Sequence, residues 1–194
     1  PVAPRPPRLC NGCPHRDAYA MVRGALDGIE GAHVTGDIGC YTLGALPPYQ
    51  AIESCVCMGA SIGMAKGAAD AGVRPVIAVI GDSTFLHSGL PALLDAIATD
   101  TDMTVLILDN EVVAMTGGQP TRLSSTRLEP VLHGLGVDPE HLHVLEAHPK
   151  NAETNLQVLK DELDHPGLSV VVTVRECIET ARRKKTDRAV GAPS

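Results

Sequence analysis

Three short stretches of this chain, residues 75–80, 104–108 and 168–174, are apolar almost without interruption, and polar or turn-forming residues bound each of them. Strands of that kind are buried on both faces, the environment of a parallel sheet with helices on either side. Between them runs helical spacing. Ala18, Met21, Val22, Ala25, Leu26 and Ile29 fall on one face of residues 16–29, residues 89–99 and 152–163 read as further helices, and the small, Ala-rich stretch 59–71 reads as helix as well. Shorter strands are expected at 33–35 and 142–145. This alternation predicts an α/β fold, a mostly parallel sheet with helices on both faces.

A chain of 194 residues has room for one such domain. Four of its first seven residues are proline, so residues 1–9 read as an extended arm or linker, 10–178 as the domain, and 179–194 as a polar, solvated tail carrying Arg182, Arg183, Lys184, Lys185 and Arg188. One phenylalanine, three tyrosines and a net charge of -7 provide neither the stacking platforms nor the positive field that nucleic acid requires. No apolar run approaches the roughly 20 residues that cross a bilayer. The chain is therefore expected to be soluble and cytoplasmic, with no nucleic-acid or membrane partner.

In open α/β sheets ligands bind beyond the carboxyl ends of the strands. Gly81-Asp82-Ser83-Thr84 follows one apolar run and Asp109-Asn110 follows the next. Singly, such an Asp caps the following helix and such an Asn makes a turn. Together at adjacent strand ends, a carboxylate and an amide oxygen can hold a hard divalent cation, while nearby Gly, Ser and Thr bring N–H and hydroxyl groups to a diphosphate. Cysteines raise a second question. Cys10 and Cys13 form a CxxC pair, Cys40 lies well downstream of them, and Cys177 stands far beyond Cys40, at the end of the expected domain. That set suits an iron–sulfur cluster or a structural Zn²⁺, and spacing does not separate them. Cys55 and Cys57 read as small buried residues. His15 and His87 lie beside motifs, as hydrogen-bonding residues or as catalytic, substrate-contacting ones.

The separation of Gly81 from Asn110 resembles that of the thiamine diphosphate-binding motif, Gly-Asp-Gly with a downstream Asn, with Ser83 in the third place and Asp109 in place of the first of two Asn. The resemblance implies Mg²⁺ held by Asp82, Asn110 and the carbonyl of Val112. It also implies cofactor contacts from Gly39, Gly81, Ser83 and Thr84, from Met58 and Gly59 at the aminopyrimidine, and from Met115, Thr116 and Gly117 around the diphosphate. The cysteine order resembles the 2-oxoacid:ferredoxin oxidoreductases, and the wording is closest to the thiamine diphosphate domain of indolepyruvate ferredoxin oxidoreductase alpha subunits. Residues 10–16, 36–44, 57–63, 81–89 and 109–119 carry that likeness. It implies a [4Fe-4S] cluster on Cys10, Cys13, Cys40 and Cys177, an arylpyruvate oxidised to an acyl-CoA, and electrons passed to ferredoxin. It further implies partners: a second thiamine-binding half, or pyrimidine domain, supplying an activating Glu, and a gamma-type subunit. Two rivals remain at this point, half of a non-oxidative thiamine diphosphate-dependent decarboxylase and a non-enzymatic α/β module stapled by Zn²⁺.

Overall fold

The computed structural model describes residues 6–123 and 125–190; the first five residues of the expected arm and the last four of the expected tail lie outside it. The elements run in the order α1 (Pro14–Ala25), β1 (His33–Gly36), β2 (Ser54–Cys55), α2 (Ser61–Asp70), β3 (Val76–Gly81), α3 (Asp82–Thr84), α4 (Leu90–Ala98), β4 (Met103–Asp109), β5 (Val112–Val113), β6 (Gln119–Pro120), α5 (Ser125–Leu135), β7 (Leu142–Glu146), α6 (Ala152–Asp164), β8 (Leu168–Val174) and α7 (Ile178–Val190). Six strands form one sheet in the order β2-β1-β3-β4-β8-β7, and every pairing is parallel. The expected fold class holds.

Residue alternation along the strands divides the interior into two layers. Val76, Ala78 and Ile80 of β3 and Met103, Val105 and Ile107 of β4 pack against α2, α4 and α5, whereas Ile77, Val79, Leu106 and Leu108 pack against α1 and α6. Each strand residue is therefore apolar whichever way it points, which is why the runs at 75–80 and 104–108 show no period of two in hydropathy.

Several boundaries differ from expectation for local reasons. Helix α1 opens at Pro14, where a ring without an N–H forfeits nothing, and it ends at Ala25, before Gly28 turns the chain at φ 76°. Ile29, expected on its buried face, is exposed. Residues 85–89 form a π-helical turn joining α3 to α4. Helix α5 has no counterpart in the sequence reading; it contains Pro130, yet Leu128 and Leu132 are core residues one turn apart. The tail expected at 179–194 is α7 as far as Val190. It is held by polar contacts, with Arg182 donating to the Asn11 carbonyl at 3.3 Å, Arg183 to that of Gly117 at 3.1 Å, and Lys184 paired with Glu176. Among the described residues no helix is long and apolar enough to cross a membrane.

Candidate cofactor site

Strands β1 and β3 are neighbours, but the chain leaves β1 toward one edge of the sheet and β3 toward the other. A crevice opens at their carboxyl ends, the place where doubly wound sheets bind ligands. The turn after β3 starts with Asp82, 4% exposed, whose Oδ1 accepts the Ser83 N–H at 2.8 Å. Its Oδ2 accepts the Glu111 N–H at 3.1 Å, so one carboxylate joins two strand ends. Asp109 Oδ1 accepts the same N–H at 3.1 Å, and Glu111 stands at φ 61°, the left-handed turn that points its N–H back between the two carboxylates. Burial and the neighbouring Asp109 push the Asp82 carboxyl up to about 8. Two buried carboxyls in contact want either a shared proton or a cation, and with Asn110 beside them they form an oxygen donor set suited to Mg²⁺.

The other wall comes from the segment after β1. Tyr41 Oη lies 2.8 Å from the Ile38 carbonyl and 2.7 Å from Thr84 Oγ1. A carbonyl only accepts, so the phenol donates to Ile38 and accepts from Thr84. Its ring lies so close over Gly81 that a Cβ there would overlap it, which explains glycine at that strand end. Asp37, fully buried, sets the frame beneath: Oδ1 accepts from the Ile38 N–H at 2.8 Å and the Gly59 N–H at 2.7 Å, and Oδ2 from the Ser61 N–H at 3.1 Å. A carboxylate thus caps the start of α2 and ties it to the Cys40 segment.

Between these walls is a pocket of about 280 Å³. It brings together the sequence-derived cofactor residues Gly39, Met58, Gly81, Asp82, Ser83, Thr84, Asn110, Val112, Met115 and Thr116 with His15, the catalytic candidate, and Cys40, the cluster candidate. Gly59 and Gly117 stand outside its lining. Gly59 lies behind Met58 at φ 87°, where a Cβ would strike Ser88, and Gly117 offers its carbonyl to Arg183. The two histidines part company. His87 is exposed on the π-helical turn and does not line the pocket, whereas His15 is 3% exposed and burial, with Arg175 nearby, holds it neutral, its pKa lowered to about 4. A second groove of about 240 Å³, between α1 and α6, contains none of the sequence-derived site residues.

The four motif cysteines come from three separate segments: before α1, on the 3-10 helix Cys40–Ala45, and between β8 and α7. None is in a disulfide; Cys13 and Cys177 are buried, Cys40 half-buried and Cys10 exposed. Burial pushes the Cys13 thiol up to about 11, aided by Cys10, Cys40 and Cys177, and burial with Cys177 and Cys10 raises that of Cys40. The sulfurs are thus electrostatic neighbours. Among the described residues, however, no three Cys, His, Asp or Glu side chains converge tightly enough for one metal ion. Cys57 is exposed and Cys55 half-buried, contrary to the expectation that both are buried, because β2 is a two-residue edge strand and Cys57 follows its end.

Sequence reasoning singled out neither Asp37 nor Tyr41 as site residues. Asp37 bonds across 24 residues to Ser61, beyond any local capping signature, although a rare tyrosine in a Gly-rich loop was a usable sign for Tyr41.

A parallel sheet with a carboxylate–amide pair at its central strand ends defines a cofactor-binding α/β domain, and its family follows from comparison. The thiamine pyrophosphate enzyme, C-terminal TPP binding domain family matches residues 37–173, and the chain belongs to that family. More particularly, it is 37% identical over 195 aligned positions to indolepyruvate oxidoreductase subunit IorA of Archaeoglobus fulgidus, covering 94% of this chain and 31% of that protein. Against IorA of Methanothermobacter thermautotrophicus it is 36% identical, covering 91% of this chain and 30% of that one. The chain therefore spans about a third of the relatives it matches, and the likeness read from its motifs holds. A 2-oxoglutarate:ferredoxin oxidoreductase from Magnetococcus marinus, solved with 2-oxoglutarate, coenzyme A and succinyl-CoA, shares the fold at TM-score 0.72 and 20% identity, over 90% of this chain and 66% of that one. So does a putative thiamin diphosphate-dependent enzyme from Mycobacterium smegmatis, at TM-score 0.60 and 21% identity, over 82% and 32%.

Proposed function

We propose that this chain is the thiamine diphosphate-binding part of a 2-oxoacid:ferredoxin oxidoreductase that oxidises an arylpyruvate such as indolepyruvate to an acyl-CoA. One observation carries the reading: Cys40 lines the same pocket as Asp82 and Asn110. A thiol centre bordering a cofactor pocket serves electron removal, for which a non-oxidative decarboxylase has no use. Asp82, Asn110 and the Val112 carbonyl would hold Mg²⁺, with Asp109 compensating its charge. Gly39, Ser83, Thr84 and Thr116 would bind the diphosphate, and Met58 would border the ring system. Thiamine diphosphate, when bound, supplies the carbon nucleophile that lets a 2-oxoacid release carbon dioxide. Cys10, Cys13, Cys40 and Cys177 would hold a [4Fe-4S] cluster, which would supply one-electron transfer toward ferredoxin.

A partner surface belongs over the pocket. Ile38, Met58 and Met115 line the pocket yet are 44%, 50% and 67% exposed, and Val56 nearby in sequence is 71% exposed. Apolar residues gathered at a pocket mouth mark an interface, here for the second thiamine-binding half; the gamma-type subunit completes the assembly. The test uses the full-length oxidoreductase. Given indolepyruvate and CoA, it should reduce a viologen dye, and Asp82→Ala should weaken thiamine diphosphate binding at least tenfold, about 1.4 kcal/mol. Unchanged affinity in calorimetry removes Asp82 from the site, and free aldehyde without dye reduction favours the non-oxidative decarboxylase.

A further inference from the structure

The amide of Asn110 is gripped at both ends, and the two grips define the state of the histidine beside it. The Val112 backbone N–H donates to Asn110 Oδ1 at 3.1 Å. Because a backbone N–H can only donate, that contact fixes the oxygen end of the amide. Nδ2 is then the end 3.3 Å from His15 Nε2. An amide NH₂ has no lone pair to offer, so Nε2 is the acceptor and the ring proton resides on Nδ1. The lone pair that a general base would use is already engaged.

His15 is well placed to hold this contact. It is the second residue of α1, it is 3% exposed, and its ring meets Tyr41 edge-on with centroids 6.1 Å apart. It also stands two residues beyond Cys13, in the first turn of the helix into which the thiol segment leads. One residue therefore follows directly on the thiol segment and contacts the amide at the end of β4.

We propose that His15 is a positioning residue for Asn110: its bare Nε2 secures Nδ2, so that the remaining lone pair of Oδ1 faces the pocket as a cation ligand. This deepens the Mg²⁺–thiamine diphosphate reading and rests on it. Without the acceptor, a buried NH₂ is left unsatisfied, and the amide turns to find a partner, presenting N–H to the site of positive charge. The effect falls on the cation and reaches the cofactor only through it.

Two substitutions of nearly equal shape separate hydrogen bonding from packing. Gln at position 15 keeps a strong acceptor, whereas the Met thioether accepts only weakly. In the full-length oxidoreductase, thiamine diphosphate binding is followed by calorimetry across a series of Mg²⁺ concentrations, with circular dichroism confirming the fold. His15→Met is expected to raise the Mg²⁺ concentration for half-maximal cofactor binding by about tenfold, and His15→Gln to return it to within about threefold of wild type. Equal impairment of both variants, or a wild-type Mg²⁺ requirement in His15→Met, overturns the proposal. Wild-type protein that binds the cofactor equally with and without Mg²⁺ sinks the underlying reading instead.

Discussion

The cofactor pocket and the cysteine quartet share a border at Cys40 but are built in different ways. Asp82, Asp109 and Asn110 stand at the ends of β3 and β4, strands packed on both faces, and are 4%, 2% and 8% exposed. The fold itself holds them. The cysteines stand on segments outside the sheet, range from buried to exposed, and do not converge on one point. A site on strand ends is formed before its ligand arrives, whereas a site on loops is completed by what it binds.

The largest expected effect breaks the loop-borne site. Replacing Cys13 by Ser in the full-length protein, purified without oxygen, should remove about four iron and four sulfide per chain relative to wild type. The pocket should survive, with thiamine diphosphate affinity within about threefold of wild type. Unchanged iron, with one Zn²⁺ per chain lost instead, would favour the zinc-stapled module. Loss of the iron together with all cofactor binding would show that the pocket also depends on the loops.

Asp37 sharpens the contrast because it belongs to both regions, securing the start of α2 with both oxygens and the segment leading to Cys40 with Oδ1. Asp37→Ala leaves three N–H groups without their acceptor, two of them at the start of a helix. A stability loss of about 3 kcal/mol is expected in urea unfolding. Asp37→Asn keeps one acceptor oxygen and should lose about half as much. A loss below about 0.5 kcal/mol for Asp37→Ala would mean that neither region relies on this carboxylate.

The same division explains what the sequence made legible. Burial on both faces forces β3, β4 and β8 to be apolar at nearly every position, and a polar residue ending such a run, as at Asp82 or Asn110, stands out against it. Local pattern therefore located the sheet and the polar residues at its strand ends. Helix α5 stayed hidden because only Leu128 and Leu132 anchor it deeply while Pro130 argues against a helix. Helix α7 has no apolar period to read, since its contacts are guanidinium groups reaching carbonyls far away in sequence and an ammonium group on the Glu176 carboxylate just before the helix. The cysteines could be paired with a motif, but their mutual geometry depends on loop conformations that no residue period encodes.

The smallest expected effect tests whether α7 belongs to the rigid region or the adaptable one. Arg183 is exposed, and its visible link is the 3.1 Å bond to the Gly117 carbonyl, in the turn that follows the pocket residues Met115 and Thr116. An exposed bond of that kind contributes little to global stability, so Arg183→Ala should change the unfolding free energy by less than about 0.5 kcal/mol. Gly117 stands at φ 125° and Gly118 at φ 82°, conformations that a free chain leaves easily. Releasing the carbonyl should therefore speed amide hydrogen exchange across residues 113–118, with strands β3 and β4 unaffected. If exchange there stays at the wild-type rate, the turn is held by the β5–β6 hairpin alone. If instead stability falls by about 2 kcal/mol or more, the size of a core defect, α7 is packed as tightly as the sheet helices, and the boundary between strand-borne and loop-borne function shifts to include it.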